Sequence, residues 1–175
     1  MVIRKEGANI YIESNYLQEL CQQMMDGHVS YGYGSKVPLD AEPSQIKKID
    51  CSGFSRWLIY QATDGLVTMV EGSDEQHAWC KKQKLTKQNY FQTAALSDGQ
   101  LRIAFIPRVY GEGGKVAKAG HVWLVLDGQT IESHGGKGPS RRAWNHSSLT
   151  ARVGACFVLA QLYSLTIGPV VVTPG

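Results

Sequence analysis

Apolar residues recur along the first half of the chain at helical spacing. Over residues 14–26, Leu17, Leu20, Cys21, Met24 and Met25 repeat every three or four positions, which predicts an amphipathic helix capped by Ser14. The same period returns in Phe54, Trp57, Leu58 and Ala62, bracketed by Asp50 as an N-cap and Gly65 as a stop. A shorter helix is expected from Ser73, whose Gln76 three positions on makes a capping-box pattern, with Trp79 and Cys80 turned inward.

From Leu101 the period changes. Residues 101–106 read as a strand stopped by Pro107, and residues 120–128 as a strand apolar on both faces that ends at an Asp-Gly turn before its return over 130–134. The glycine-rich, basic stretch 111–120 joins the first two strands as a long hairpin and is expected to form a lid beside a cleft. Its Gly-Gly-Lys lacks phosphate-loop spacing. The apolar run 153–172 is interrupted by Gln161, Gly168 and Pro169, so it reads as a buried strand over 155–162 and an extended tail, without stable membrane insertion. Helices first and antiparallel strands after them predict an α+β fold.

Composition narrows the function. A chain of 175 residues with 43% hydrophobic and 19% charged residues is expected to be a single domain over 1–175 with a core of its own. A net charge of +3, with no basic stripe interleaved with aromatics, argues against nucleic acid and allows only weak attraction to an anionic polymer. The N-terminus carries Arg4, Lys5 and Glu6 and no apolar stretch, so no secretory signal peptide is expected. Cys21, Cys80 and Cys156 lack C-x-x-C spacing and histidine pairs, so neither a metal nor another cofactor is expected, and a Cys80–Cys156 disulfide is an option only outside the cytoplasm.

Cys51, directly after Asp50, opens the second predicted helix and therefore lies in the positive field of its start, which favours thiolate. That field alone is too weak. Moving a thiol from ~8.5 to about 5.5 requires roughly 4 kcal/mol, and a helix end supplies ~2 at best. A cationic partner is needed, and an imidazole serves, because it takes the proton and later returns it to the leaving group. Of five histidines only His121 opens a buried strand; His28, His77 and His146 read as surface residues. Alternation puts Glu132 and His134 on one face of the return strand, two candidates for the group that orients the imidazole. Glu132 is favoured, accepting the proton of Nδ1.

Asp-Cys-Ser-Gly-Phe at 50–54, then Gly-His-Val at 120–122 and a turn into a polar residue, resembles the NlpC-type cell-wall cysteine peptidases, over about residues 26–134. Tyr31-Gly32-Tyr33-Gly34 is similar to the family's Tyr-x-aromatic-Gly segment. The resemblance implies a papain-like fold, a Cys51 nucleophile, a His121 base and Tyr31 beside the thiol, with Ser52 and Trp123 as further candidates for substrate contact. The chain departs from the family in a longer stretch at 35–49, in Trp123 where a small residue is usual, and in a shortened turn that aligns Glu132 with the third position.

What the resemblance implies is a hydrolase of peptidoglycan stem peptides, with an antibacterial toxin or effector met by a cognate inhibitor or immunity protein as one form of it. Made without a signal, such a protein is expected to reach the periplasm or cell wall through a phage or a specialised secretion route. Two other readings share these residues: a deamidase or acyl-transfer toxin acting on a protein glutamine, and a catalytically silent wall-binding module.

Overall fold

A computed structural model of the protein describes residues 3–6, 9–13, 15–159 and 165–168. Helix α1 spans Tyr16–Asp26 and buries Leu17, Leu20, Cys21 and Met24, the predicted stripe. Its N-cap is Asn15, which makes no side-chain capping bond; the expected cap, Ser14, lies outside the described residues. Two short strands, β3 (Ser30–Tyr31) and β4 (Lys48–Ile49), pair in parallel and set Tyr31 beside Ile49. Between them residues 35–49 lie against the next helix, because Trp57 Nε1 donates to the Ala41 carbonyl (2.9 Å) and Gln61 Nε2 to that of Leu39 (2.6 Å).

Helix α2 runs Cys51–Ala62 and is buried along most of its length. Phe54, Trp57 and Leu58 are wholly enclosed, each contributing about 2 kcal/mol of burial. Helix α3, Ser73–Lys82, starts one residue earlier than a Ser73 cap requires: Gly72 is the N-cap and Ser73 the first helical residue. Gln76, expected in a capping box, instead donates to the Ser52 and Val70 carbonyls at 2.9 Å each, tying α3 to the start of α2. A buried amide gains more from two carbonyls than from one capping bond.

The main sheet has five antiparallel strands in the order β10 (Gly138–Ser140), β9 (Gln129–His134), β8 (His121–Leu126), β5 (Arg102–Ile106), β11 (Ala155–Val158). Helix α2 packs on β8 and β9. Asp127 (φ 50°) and Gly128 (φ 78°) make the tight turn between those strands, the left-handed pair that a two-residue hairpin requires. Val122, Leu124 and Leu126 face the helices, while Trp123 and Val125 pack in a second cluster with Tyr90 and Leu149, from short helices α4 (Tyr90–Thr93) and α5 (Ser147–Thr150). Both sheet faces are thus covered, which is why β8 reads as a continuous apolar run.

Residues 111–120 are more ordered than a plain loop: β6 (Val109–Tyr110) and β7 (Val116–Lys118) pair as a small exposed ladder. A three-stranded sheet of β1 (Ile3–Glu6), β2 (Asn9–Glu13) and β12 (Leu165–Gly168) was not anticipated from the sequence. Of the strand expected over 155–162, Ala155–Val158 form β11, and residues 160–162 lie outside the described ones. The architecture is α+β, helices on a mainly antiparallel sheet. Among the described residues no helix is long and apolar enough to cross a membrane.

Candidate active site

The site is assembled where the start of α2 meets the start of β8. Asp50 caps α2: its Oδ1 accepts the Gly53 N–H at 2.6 Å, and its backbone carbonyl accepts from Phe54 at 3.0 Å. A Cβ at Gly53 would lie 2.9 Å from that capping oxygen and 3.2 Å from the Ser35 carbonyl, so the cap needs the glycine. Two first-turn amides, those of Cys51 and Ser52, have no helical carbonyl behind them. Cys51 is the first residue of α2 and 7% exposed. Ser133 of β9 fixes this end to the sheet, donating from Oγ to the Ile49 carbonyl at 2.9 Å.

His121, half-buried at the start of β8, has its Nε2 2.9 Å from Glu132 Oε1. Burial lowers the imidazole's pKa, but hydrogen bonds and charge from Cys51 and Glu132 outweigh it and raise the value to about 9. With Nε2 engaged by Glu132, Nδ1 is the nitrogen left to the thiol. This corrects the atom expected to meet the carboxylate: Glu132 holds Nε2.

Glu132 is wholly buried, and an unpaired carboxylate there would cost several kcal/mol. It is not unpaired. Arg142 donates from Nη2 to Oε1 (2.7 Å) and from Nε to Oε2 (3.2 Å), a fork across the carboxylate. Burial raises the Glu132 pKa, yet hydrogen bonds from His121 and Arg142 overcome it and bring the value to about 2. Arg142 is in turn positioned by backbone bonds to Thr130 (its N–H to Oγ1 at 2.9 Å, its carbonyl from the Thr130 N–H at 2.8 Å) and by Nη1 to Ser148 Oγ at 3.1 Å. Nothing in its sequence surroundings marked it out, since the Arg142–Glu132 contact depends on how the chain beyond β10 returns to β9.

The other expected residues divide. Tyr31 hydrogen-bonds the Cys51 side chain, and burial together with the Cys51 and Asp50 charges raises its pKa, keeping the phenol protonated. Ser52, 3% exposed, donates to Asp50 Oδ1 at 3.2 Å and accepts from Lys36 Nζ at 2.9 Å. His134 makes no hydrogen bond to His121; its Nδ1 meets the Gly135 carbonyl at 3.2 Å, and burial, then the Arg142 charge, lowers its pKa. Trp123, expected to contact substrate, has no exposed surface. Its indole stacks under the imidazole, centroids 5.4 Å apart and planes within 19°, and its Nε1 donates to the Tyr90 hydroxyl at 3.2 Å. It supports His121 and does not line the cleft, because Tyr90 and Trp144 cover that sheet face.

The cleft is small, about 110 Å³, and its lining includes Tyr31, Lys36, Cys51, Ser52 and Arg108. His77, read as a surface residue, is half-buried and stacks on Phe105 at 5.0 Å; burial lowers its pKa. Cys80 and Cys156 are free thiols in clusters on opposite faces of the sheet. Among the described residues no group of three His, Cys, Asp or Glu is arranged around a metal position.

Neither a family model nor a curated protein matches the chain. Among solved structures, a NlpC/P60 family protein from Bacillus cereus ATCC 10987 is similar at a TM-score of 0.47 and 17% identity, over 78% of this chain and 39% of that one. The match thus spans well under half of the solved chain. A likeness of this size leaves the function to be read from the site's own chemistry.

Proposed function

We propose that the protein is a papain-like cysteine hydrolase of the NlpC type that cleaves peptide or amide bonds in peptidoglycan stem peptides. The observation that carries the chemistry is a single line of contacts: Cys51 at a helix start, His121 against it, and a buried Glu132 holding the far imidazole nitrogen. The substrate class rests on the Asp-Cys-Ser-Gly-Phe and Gly-His-Val segments.

In this reading the Cys51 thiolate attacks the scissile carbonyl and forms the thioester as the C–N bond breaks. The His121 Nδ1 proton passes to the departing nitrogen. Water then attacks the thioester; His121 accepts its proton, and the acid product leaves as the thiolate is expelled and the thiolate–imidazolium pair restored. Glu132 keeps the ring oriented and stabilises its charged form, while Arg142 holds the carboxylate. In this reading the oxyanion is met by the Cys51 N–H at the helix start, with the Tyr31 hydroxyl, which hydrogen-bonds Cys51, as the second donor.

The test is mass spectrometry of defined muropeptides after incubation with the wild-type protein and with Cys51→Ala. Amide-cleavage products from the wild type alone are expected, with the variant still folded and melting cooperatively. Wall binding without any new product mass would overturn hydrolysis in favour of a silent binding module.

A further inference from the structure

Two cations line the cleft, one on either side of the thiol. Lys36, from the long stretch between β3 and β4, brings its ammonium to both neighbours of Cys51: it pairs with Asp50 Oδ2 and donates to Ser52 Oγ at 2.9 Å. Its side chain remains 28% exposed. An ammonium has three donors, and these two contacts leave one for the cleft. Arg108 comes from the other side. It follows β5, its stem lies over Gly120, where a Cβ would meet the Arg108 Cγ at 3.2 Å, and its guanidinium hydrogen-bonds Tyr110 at the rim of the cleft that it lines.

Within the lining of the cleft, acid does not cancel this arrangement. Asp50 has both oxygens occupied, Oδ1 by the Gly53 N–H and the Ser52 hydroxyl and Oδ2 by Lys36. Asp74 and Glu75 lie near Arg108 but outside the lining, and Asp74 accepts from the Tyr110 hydroxyl at 3.2 Å. Glu132 and Arg142 pair with one another outside the lining. Of the charged groups lining the cleft, Asp50 offsets only one of two cations.

We infer that the cleft beside Cys51 is an anion-selecting subsite, in which the Lys36 ammonium and the Arg108 guanidinium receive a carboxylate carried by the substrate close to its scissile carbonyl. The inference deepens the hydrolase reading and rests on Cys51 as its nucleophile. A cleft of about 110 Å³ holds a group of carboxylate size and little more. Substrates with a free acid at that position are favoured over those in which it is amidated, since a neutral amide forgoes the charge-assisted bonds.

Iodoacetate and iodoacetamide provide the test, being close in size and alike in leaving group but different in charge. Each alkylates the thiolate with loss of iodide, and neither requires the natural substrate. The ratio of their second-order rates at Cys51 is measured in the wild type, Lys36→Met, Arg108→Met and Lys36→Arg, with melting temperatures alongside. The ratio is expected to favour iodoacetate and to fall about fivefold in each methionine variant, with Lys36→Arg close to wild type. Arg108→Met lies away from the Asp50 cap and keeps the test valid if Lys36→Met loosens it. Alkylation at an unchanged ratio in both methionine variants overturns the inference while leaving the nucleophile in place. Failure of both reagents to modify Cys51 overturns the nucleophile and the subsite together.

Discussion

His121 Nε2 lies 2.9 Å from Glu132 Oε1, whereas His134, two positions along the same strand, turns to the Gly135 carbonyl. The β8–β9 register pairs Leu124 with Ile131; continued toward the start of β8, it sets His134 opposite His121 and Glu132 opposite Trp123. The imidazole therefore reaches along a diagonal, within the span of long cross-strand side chains. The Arg142 fork holds the carboxylate, while burial and then the Arg142 charge disfavour a second imidazolium at His134.

Glu132→Gln is accordingly expected to lower kcat/KM by about 10²-fold or more, because the ring loses both its orientation and the charge that supports its protonated form. His134→Ala stays close to wild type. The measurement is kcat/KM for both variants on one defined muropeptide from pH 5 to 9, and a larger loss in His134→Ala would reverse the assignment.

The difference between these two residues marks the limit of what the sequence could tell. Alternation placed Glu132 and His134 on one face but carried no record of Arg142, whose approach is set by tertiary return of the chain. Helix α2 and its Asp50 cap were legible because cap, apolar period and glycine are all local. Ser73 was misread for a related reason: its capping-box partner Gln76 had stronger carbonyl partners across the fold, on Ser52 and Val70. Trp123 was placed on the correct face, yet which elements cover that face is a long-range property, so its burial could not be foreseen. Strands β1 and β2 escaped notice because they pair with each other and with β12 from the far end of the chain.

Alkylation should single out Cys51. Burial pushes the Cys21 and Cys80 thiols up to about 12 and that of Cys156 to about 11, so all three stay protonated and enclosed. Cys51 faces an imidazolium at a cleft. Peptide mapping after brief iodoacetamide treatment near pH 6 is expected to find the label on Cys51 alone. Equal labelling of the four cysteines would contradict the thiolate–imidazolium pair.

Arg142→Met leaves the buried Glu132 with only His121 as a charged partner, and breaking such a pair from one side costs about 3–5 kcal/mol. Arg142→Lys restores the charge without the fork and should recover part of that loss. Urea unfolding gives the stability, and kcat/KM gives the effect on the imidazole. An Arg142→Met protein as stable and as active as wild type would show that the ion pair is incidental to Glu132.

The pH dependence of stability follows from the signs of two shifts. The His121 pKa is raised from 6.5 to about 9, so its contribution is complete below about 6.5 and is lost as pH rises toward 9. The Glu132 pKa is lowered from 4.5 to about 2, so its contribution is complete above about 4.5 and is lost as pH falls toward 2. Together they give greatest stability between about 4.5 and 6.5, with losses on both sides. Cys51→Ala removes one of the two partners that raise the imidazole and should move the alkaline limb to lower pH, leaving the acid limb in place. Glu132→Gln should flatten both limbs. Urea unfolding of the three proteins across pH 2–10, with an NMR titration of the His121 ring, measures this directly. A wild-type curve flat from 6.5 to 9, or an alkaline limb unmoved in Cys51→Ala, would mean that His121 does not carry its proton against the thiol.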